Sequence, residues 1–579
     1  MKKYIITTYR LWKLLKPFHN QFYLQLFFIV IIQLIVIFGT VMLSKSINSL
    51  VDKNFVLAGY FVLAYTLLQF SRSALNYIKE TFNNKKVAFA IQQYLQEYSL
   101  KRIFSLNASQ YVEDHSAIRL QVIGRGENAI ENIITTILFN IIPTVTQVLF
   151  ALIAIAYYNY IVAIISFVAL SIAIFWTNKF SNFHRPFIKK NIDHWDIQKK
   201  IRTEGFQHLS LVKITGVESG YLKKYLKNRA SIITHSIDTR QLSNKHGTKR
   251  SFFFSSANTV SRLYVIYLAF QQKLLIGDIY ALWTWISEVN SNIFNVVQAM
   301  RSLPINFVEL DKYLAVIDKE PLFDESGLKK IPSGDIVFKN LTFKYPKGEQ
   351  NALSKISLTI PKGKKVGFVG FSGSGKTTIT RLLLRIYDYT SGDISIGGKS
   401  LKDLDAKAFR KSIGYVEQHV DLFDASIKEN ILLGIESGKV EEKKIQEIAK
   451  LSRITEFYNR LGEKGLETVI GEKGIKLSGG ERQRIGIARA VIKDPEILIF
   501  DEATASLDNE NEKFIQEAID ATTKDRTTIV IAHRLSTVKN SDIIFVMDKG
   551  VLVDSGTHEE LAESSEVYRR LLAAEHRNN

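Results

Sequence analysis

The pattern of apolar and polar positions changes near residue 320. Before it, apolar residues come in runs long enough for a bilayer. After it, short apolar runs alternate with turns and helical repeats. A helix needs about 20 apolar residues to cross the roughly 30 Å hydrocarbon core. Residues 22–43 are uncharged and rich in Ile, Val, Leu and Phe, and residues 54–71 are again uncharged. No charge occurs from 132 to 178, enough for two spans, with Tyr157, Tyr158, Asn159 and Tyr160 as the turn and interfacial belt between them. Residues 251–272 and 274–300 are weaker spans with one charge each near the middle, Arg262 and Glu288, while Asp278 sits near the turn between them. The pattern predicts six spans, with both ends of the domain on one side. Buried helices of a soluble protein do not explain a charge-free run of that length.

The connectors alternate in length. Those near 45–53, 157–160 and 271–273 are short. Those covering about 72–131 and 179–250 are long, rich in Lys and Arg, and read as helical throughout. Positive residues mark the cytoplasmic side, so the long connectors are expected there, extending the membrane helices into the cytoplasm.

Charge sharpens this division. Of a net +19, residues 1–320 carry +18 and residues 321–579 only +1. Basic residues beside long apolar runs fit a membrane surface better than a nucleic acid, so no nucleic-acid partner is expected. Cysteine is absent, which excludes disulfides, thiolate metal sites and a catalytic thiol. The N-terminus is basic and amphipathic without a small-residue cleavage site. It predicts a helix lying on the inner membrane surface, with Lys13 and Lys16 among the headgroups and Trp12 as an anchor.

The second part carries the chemistry. Gly370-Phe371-Ser372-Gly373-Ser374-Gly375-Lys376-Thr377-Thr378 fits the phosphate-loop pattern and lies between an apolar strand and a helical repeat. A strand, a Gly-rich turn and a helix N-terminus together aim backbone N–H groups at phosphates. Lys376 is placed to reach the β- and γ-phosphates, and the Thr377 hydroxyl to ligate Mg²⁺. The alternative, a Gly/Ser-rich surface turn, does not account for the strand and helix on either side. The apolar run 497–500 ends in Asp501, suited to Mg²⁺, and Glu502, suited to polarise the attacking water. Ser478, Gly479 and Gly480 open an Arg-rich helix and make a second anion site. Two separate phosphate sites on one chain suggest an ATP held between two copies. His533, Gln418 and Tyr345 read singly are ordinary structural or surface residues.

As a set, these motifs resemble the ATP-binding cassette superfamily, and residues 333–575 look like a whole nucleotide-binding domain of the α/β P-loop class. By that resemblance Tyr345 stacks on adenine. Gln418 senses Mg²⁺ and water, and His533 contacts the γ-phosphate. Ser478, Gly479, Gly480 and Glu481 form the family signature, in which Gln is commoner than Glu481. Ala505, Ser506, Leu507 and Asp508 match the loop that couples the two ATP sites. Residues 468–474 resemble a segment that touches the partner's cytoplasmic helices in exporters. Short coupling helices are implied near 111–116 and 206–213. An α-helical six-span domain (1–320) fused ahead of a cassette (321–579) has the layout of an exporter half-transporter.

The resemblance implies an ATP hydrolase coupled to export or flipping, with ATP and Mg²⁺ as ligands. The chain works as a homodimer or as a heterodimer with a related half-transporter, in a bilayer of the bacterial plasma-membrane type. Both termini and the cassette lie in the cytoplasm. Rival readings are a soluble cassette ATPase acting on DNA or ribosomes, an ATP-gated channel or regulatory subunit, and an importer. The transported substrate is not named by the sequence. Arg262 and Glu288 lie equally far from the turn near Leu275, which predicts either a pair near the midplane or contact with a polar substrate. Thr284, Glu288, Ser291, Asn295 and Gln298 make one polar stripe along the last span.

Overall fold

The computed structural model describes residues 2–112, 116–346, 348–435, 438, 440–502, 516–517, 519–523, 526–532 and 534–578. Two compact units emerge. One joins Met1–Phe104 with Ser116–Lys319, and the other joins Ser105–His115 with Glu320–Asn579.

The first unit is helical throughout. A short amphipathic α1 (Lys2–Leu14) leads into α2 (His19–Val51) and its antiparallel neighbour α3 (Phe55–Asn83). Asn54 turns the chain between them by accepting the N–H of Leu57 at 3.0 Å. A π-turn at Asn84–Ala88 carries α3 into α4 (Phe89–Phe104). Past residues 105–115, which carry the short α5 (Ser109–Val112) and belong to the second unit, α6 (Ser116–Thr135) passes through a second π-turn, Thr136–Ile141, into α7 (Ile142–Tyr158). Asn159 alone breaks the chain before α8 (Tyr160–Gln207), its side chain accepting the N–H groups of Ile161 and Val162. The short α9 (Leu209–Ile214), then α10 (Glu218–Phe270) and α11 (Ile276–Ile317) complete the unit. The short helices expected near 111–116 and 206–213 thus fall at Ser109–Val112 and Leu209–Ile214, each shifted by two or three residues at its start; residues 113–115 lie outside the described set.

Helix packing depends on close approaches. A Cβ at Gly126 would lie 2.2 Å from Tyr313, so α6 and α11 meet nearly backbone to ring. A Cβ at Gly277 would lie 2.0 Å from the carbonyl oxygen of Ser44, and the Gly277 N–H instead donates to Asn48 at 2.7 Å. Asp278 continues this seam, accepting from Ser44 at 3.2 Å and Asn48 at 3.4 Å. The outer face carries large exposed apolar side chains such as Phe27, Leu63, Phe70, Ile153 and Phe175. Apolar surface of this extent is stable in lipid, where helices satisfy their own backbone groups.

Among the described residues, Lys16–Val51, Phe55–Phe104 and Gln121–Tyr158 are helical runs long and apolar enough to cross a bilayer, and Tyr160–Trp176 is a shorter one. The apolar stretch of α10 is diluted by Ser255, Ser256, Asn258, Thr259 and Ser261, and that of α11 by Asp278 and Glu288. The expected pairing of Arg262 with Glu288 is absent. Arg262 donates to Ser287 at 2.7 Å and lies 5.8 Å from the Trp283 ring centre. Glu288 instead faces Gln147 of α7 and Arg72 of α3. Thr284 and Ser291 bond carbonyls of their own helix, and the side chains of Asn295 and Gln298 lie outside the described set.

The second unit has two sheets. An antiparallel one runs β2-β1-β4-β5, with β1 Ile336–Phe343, β2 Leu353–Ile360, β4 Ser391–Ile396 and β5 Lys399–Ser400. The other runs β10-β9-β3-β8-β7-β6, with β3 Lys365–Val369, β6 Ile413–Val416, β7 Ile497–Asp501, β8 Thr527–Ile531, β9 Ile543–Asp548 and β10 Val551–Gly556. Strands β3, β6, β7, β8 and β9 run parallel and are nearly all buried, which explains their continuous apolar sequences. Loops leaving the carboxyl ends of β3, β6 and β7 therefore meet at one edge, where ligands bind in open α/β sheets.

Candidate nucleotide site

Strand β3 ends in a loop that only glycine allows. Gly370, Gly373 and Gly375 have φ of 153°, 77° and 102°. At Gly370 a Cβ would sit 2.2 Å from the carbonyl oxygen of Met547, and at Gly375 2.6 Å from Leu353. The helix Lys376–Leu383 then starts with no side chain capping it, leaving its first N–H groups directed into the loop. Lys376 is buried and folds back on this loop, donating to Gly370 O at 2.7 Å, Phe371 O at 3.1 Å and Ser374 Oγ at 3.4 Å. Burial lowers its pKa, and the carboxylates of Glu502 and Asp501 oppose that shift. Phe371, Ser372 and Gly373 stay exposed at the loop's outer edge, and Thr377 is half-buried.

Asp501 ends β7 beside this helix. Its Oδ2 accepts from Thr380 and from the Tyr415 hydroxyl, both at 3.2 Å. Its Oδ1 is buried with no hydrogen-bond partner. Burial raises the Asp501 pKa, with Glu502 adding to the rise, while the Thr380 and Tyr415 bonds work against it. Tyr415 is pushed up as well, by burial and then by the Asp501 charge. An idle carboxylate oxygen in a buried site suits a hard divalent cation. Among the described residues there is no cluster of three or more His, Cys, Asp or Glu side chains that would hold a metal. That fits Mg²⁺, which is usually bound by one or two protein oxygens together with substrate phosphates. Asp501 and the Thr377 hydroxyl are the residues that would hold it.

Glu502 follows in a left-handed conformation, φ 52°, which costs a non-glycine residue about 1–3 kcal/mol and needs its surroundings to hold it. Its N–H is fixed to Ile531 O at 2.9 Å, and its Oε2 accepts from Gln418 Nε2 at 2.5 Å. Gln418 leaves the end of β6, so the strand order alone brings it to Glu502. Tyr345 bonds Thr378 at 3.1 Å and Arg381 at 3.3 Å, and its ring packs edge-on against Phe343 and Tyr387. Lys376, Thr378, Asp501, Glu502, Gln418 and Tyr345 are therefore held around one helix start.

Ser478, Gly479, Gly480 and Glu481 form a different structure. Ser478 caps the helix Gly479–Val491, its Oγ accepting the Glu481 N–H at 3.3 Å while Glu481 accepts the Ser478 N–H at 2.8 Å. Glu481 also takes Arg460 at 2.5 Å. Burial pushes the Glu481 carboxyl up, but the Ser478 N–H and Arg460 more than offset this, and its pKa falls below the ordinary value. Ser478 and Gly479 are exposed, and a Cβ at Gly479 would meet nothing within 4 Å. His533 and residues 505–508 lie outside the described set. In the segment 468–474 and just past it, Val469 and Ile475 are exposed apolar side chains, with Phe423 another.

Three contributors gave no single-residue signal. Thr380 and Tyr415 support Asp501, and only the polar tip of Tyr415 in a buried strand hinted at a partner. Asn107, in the loop between α4 and α5, is buried and grips the strap after residue 319. Its Oδ1 accepts from Leu322 N at 2.6 Å and Phe323 N at 3.2 Å, and its Nδ2 donates to Phe323 O at 3.1 Å. The strap then passes Arg385, which donates to Asp324 O at 2.6 Å just beyond the phosphate-loop helix.

A family described as ABC transporter matches residues 353–505, and one described as ABC transporter transmembrane region matches 22–292. A putative multidrug export ATP-binding/permease protein of Bacillus subtilis (strain 168) is 36% identical over 58% of this chain and 59% of its own. A protein of the same description from Staphylococcus aureus (strain bovine RF122 / ET3-1) is 35% identical over 65% and 66%. An ATP-dependent lipid A-core flippase of Idiomarina loihiensis is 45% identical over 44% of each chain. The chain thus spans less than two thirds of the length of these curated relatives. The solved structure of a bacterial Atm1-family ABC exporter with ATP bound superposes with a TM-score of 0.84 at 26% identity, covering 97% of this chain and 98% of that one. A transmembrane-region match followed by a cassette match, on a fold shared end to end with an ABC exporter, places this chain in the ABC transporter family.

Proposed function

We propose that the chain is an ABC exporter half-transporter whose two copies, or one copy and a related chain, use ATP to move a substrate out of or across the membrane. The supporting observation is the convergence of Lys376, Asp501, Glu502 and Gln418 on one helix start while the Ser478 cap stays open. Each ATP would lie between the phosphate loop of one chain and the Ser478–Gly480 cap of the other. The proposal places the cassette and both termini in the cytoplasm, as the basic connectors suggest.

On ATP binding, the phosphates replace Gly370 O and Phe371 O as the partners of Lys376. The backbone N–H groups of Gly373, Gly375, Lys376 and Thr377 donate to the phosphate oxygens. Asp501 and Thr377 would hold Mg²⁺, which would supply neutralising charge at the phosphate oxygens. Glu502 accepts a proton from the water whose oxygen attacks the γ-phosphorus, and the bond to the β–γ bridging oxygen breaks. Products are ADP and inorganic phosphate. Gln418, bonded to Glu502, orients the water, and His533 is assigned to the γ-phosphate by resemblance. Tyr345 offers its ring to the adenine. The exposed Val469 and Ile475 give the partner's cytoplasmic helices an apolar surface to press on. Glu288, facing Gln147 and Arg72, is the polar position of the span proposed to meet substrate.

Glu502→Gln tests this. The amide keeps the shape but cannot accept a proton, and a placed base contributes about 10²–10⁴-fold. The expected result is intact ATP binding with hydrolysis reduced by that factor. Hydrolysis near the wild-type rate removes Glu502 as the base.

A further inference from the structure

The chain leaving β8 is held from a distance. Residues Leu535–Thr537 form a 3-10 turn, and Arg534 before it makes no side-chain cap. The first N–H groups of such a turn need partners from elsewhere. The carboxylate of Glu575 supplies one, accepting the Leu535 N–H at 3.1 Å on Oε1 and 3.3 Å on Oε2. Glu575 lies 40 residues further on, in the helix Glu566–Asn578. That helix is itself anchored, because Tyr568 is fully buried and bonds His558 at 2.8 Å. Val567, Leu571 and Leu572 pack on the core that contains Leu535, Val538 and Val369, the last residue of β3 before the phosphate loop. About 140° around the helix from Glu575, the Arg570 guanidinium lies 5.5 Å from the ring centre of Phe371 in that loop. One helix thus touches both the phosphate loop and the segment that leaves β8.

The segment tied by Glu575 adjoins the proposed base. Ile531 O accepts the Glu502 N–H at 2.9 Å, and the Ala532 N–H donates to Phe368 O at 3.2 Å. Ala532 and Leu535 are both bonded, and His533 lies between them in the sequence. We propose that Glu575 is a positioning residue for ATP hydrolysis, its carboxylate fixing the Leu535 backbone and with it the far end of the segment that leaves β8 beside Glu502. Leu535 is buried, so without this bond its N–H lacks an acceptor and the turn has to shift to find one. A shift of about 1 Å far from the chemistry can cost on the order of 10²-fold in rate. A carboxylate that served only the fold would alter thermal stability and leave turnover alone. The inference rests on the hydrolysis proposed above and extends it to a helix that the mechanism does not otherwise use.

The test is ATPase kinetics of the full chain in detergent, with thermal unfolding measured on the same samples. Glu575→Ala is expected to lower kcat and kcat/KM together by about tenfold, because the tie acts on the chemical step while other residues bind the nucleotide. Glu575→Gln is expected to stay close to the wild type, since its amide oxygen can accept the same N–H. Arg569→Gln, in the same helix but bonded to Glu563 O at 2.8 Å, should also keep the wild-type kcat. A wild-type kcat in Glu575→Ala overturns the proposal, even with thermal stability lowered. So does a fall in Glu575→Gln or Arg569→Gln as large as in Glu575→Ala, which would assign the effect to the charge or to the stability of the helix. If Glu575→Ala fails to fold, Glu575→Asp decides the matter. Its carboxylate stops one methylene short of Leu535, so the same fall is expected and a wild-type kcat overturns the proposal. Glu502→Gln, run alongside, keeps the two readings apart. A fall there with none in Glu575→Ala removes the positioning role alone. An unchanged rate in Glu502→Gln contradicts the proposed base and not the positioning of Leu535, which Glu575→Ala decides.

Discussion

The chain has two helix N-termini suited to phosphate, and they are completed in opposite ways. The phosphate loop closes on itself: Lys376 is buried on loop carbonyls, and Asp501, Glu502 and Gln418 stand behind it. The signature helix satisfies its cap internally through Ser478 and Glu481 and presents Gly479 to open space. One end gathers a lysine, two carboxylates and an amide, and the other has the Glu481–Arg460 ion pair beside exposed N–H groups and small side chains. Such a division suits a site completed by a second chain, because neither half alone surrounds a triphosphate.

The comparison can be sharpened by disturbing the support of each end. At the phosphate loop, Tyr415→Phe removes one hydrogen bond to the Asp501 carboxylate, a class of bond worth about 1.5–3 kcal/mol. Hydrolysis at neutral pH and subsaturating Mg²⁺ should fall by about ten- to a hundredfold. The Tyr415 bond lowers the Asp501 pKa, so its loss raises that pKa further, and the acid limb of the ATPase profile should move to higher pH. An unmoved limb would mean that Asp501 does not titrate in the active form. Asp501 also affects the nucleotide-free fold. A folded pKa above the unfolded one stabilises the fold below the unfolded pKa, and that contribution is lost as pH rises through the folded pKa.

At the signature helix the expected change is smaller. Gln can close the same capping box, so Glu481→Gln keeps the cap and loses the Arg460 ion pair. That pair is partly exposed, a class worth about 0–1 kcal/mol, so ATPase should change by less than about fivefold. A loss as large as that in Tyr415→Phe would show that the Glu481 charge itself takes part.

The phosphate loop was legible because its chemistry is local: glycines, a lysine and a hydroxyl at fixed spacing between a strand and a helix. Asp501 and Glu502 were legible as the end of a buried strand. Thr380 and Tyr415 were not, because they reach Asp501 only once the strand order is known. Asn107 bonds residues 215 and 216 positions away, which no local pattern encodes. In the membrane half, counting from a turn gave depth but not direction. Neighbouring helix positions differ by about 100°, and Arg262 met Ser287 rather than Glu288. The π-turn at Thr136–Ile141 had a signal in Pro143, whereas the one at Asn84–Ala88 had none that we recognise.

The most direct test of the shared site is ATP binding and hydrolysis by Ser478→Arg in the full chain. Ser478 makes no bond to the phosphate loop among the described residues, and its helix lies outside the Lys376–Asp501–Glu502 cluster. If a second chain's nucleotide must dock on this cap, the arginine blocks that docking. Binding through residues 370–377 is then retained while hydrolysis is lost. Hydrolysis at the wild-type rate would contradict the shared site.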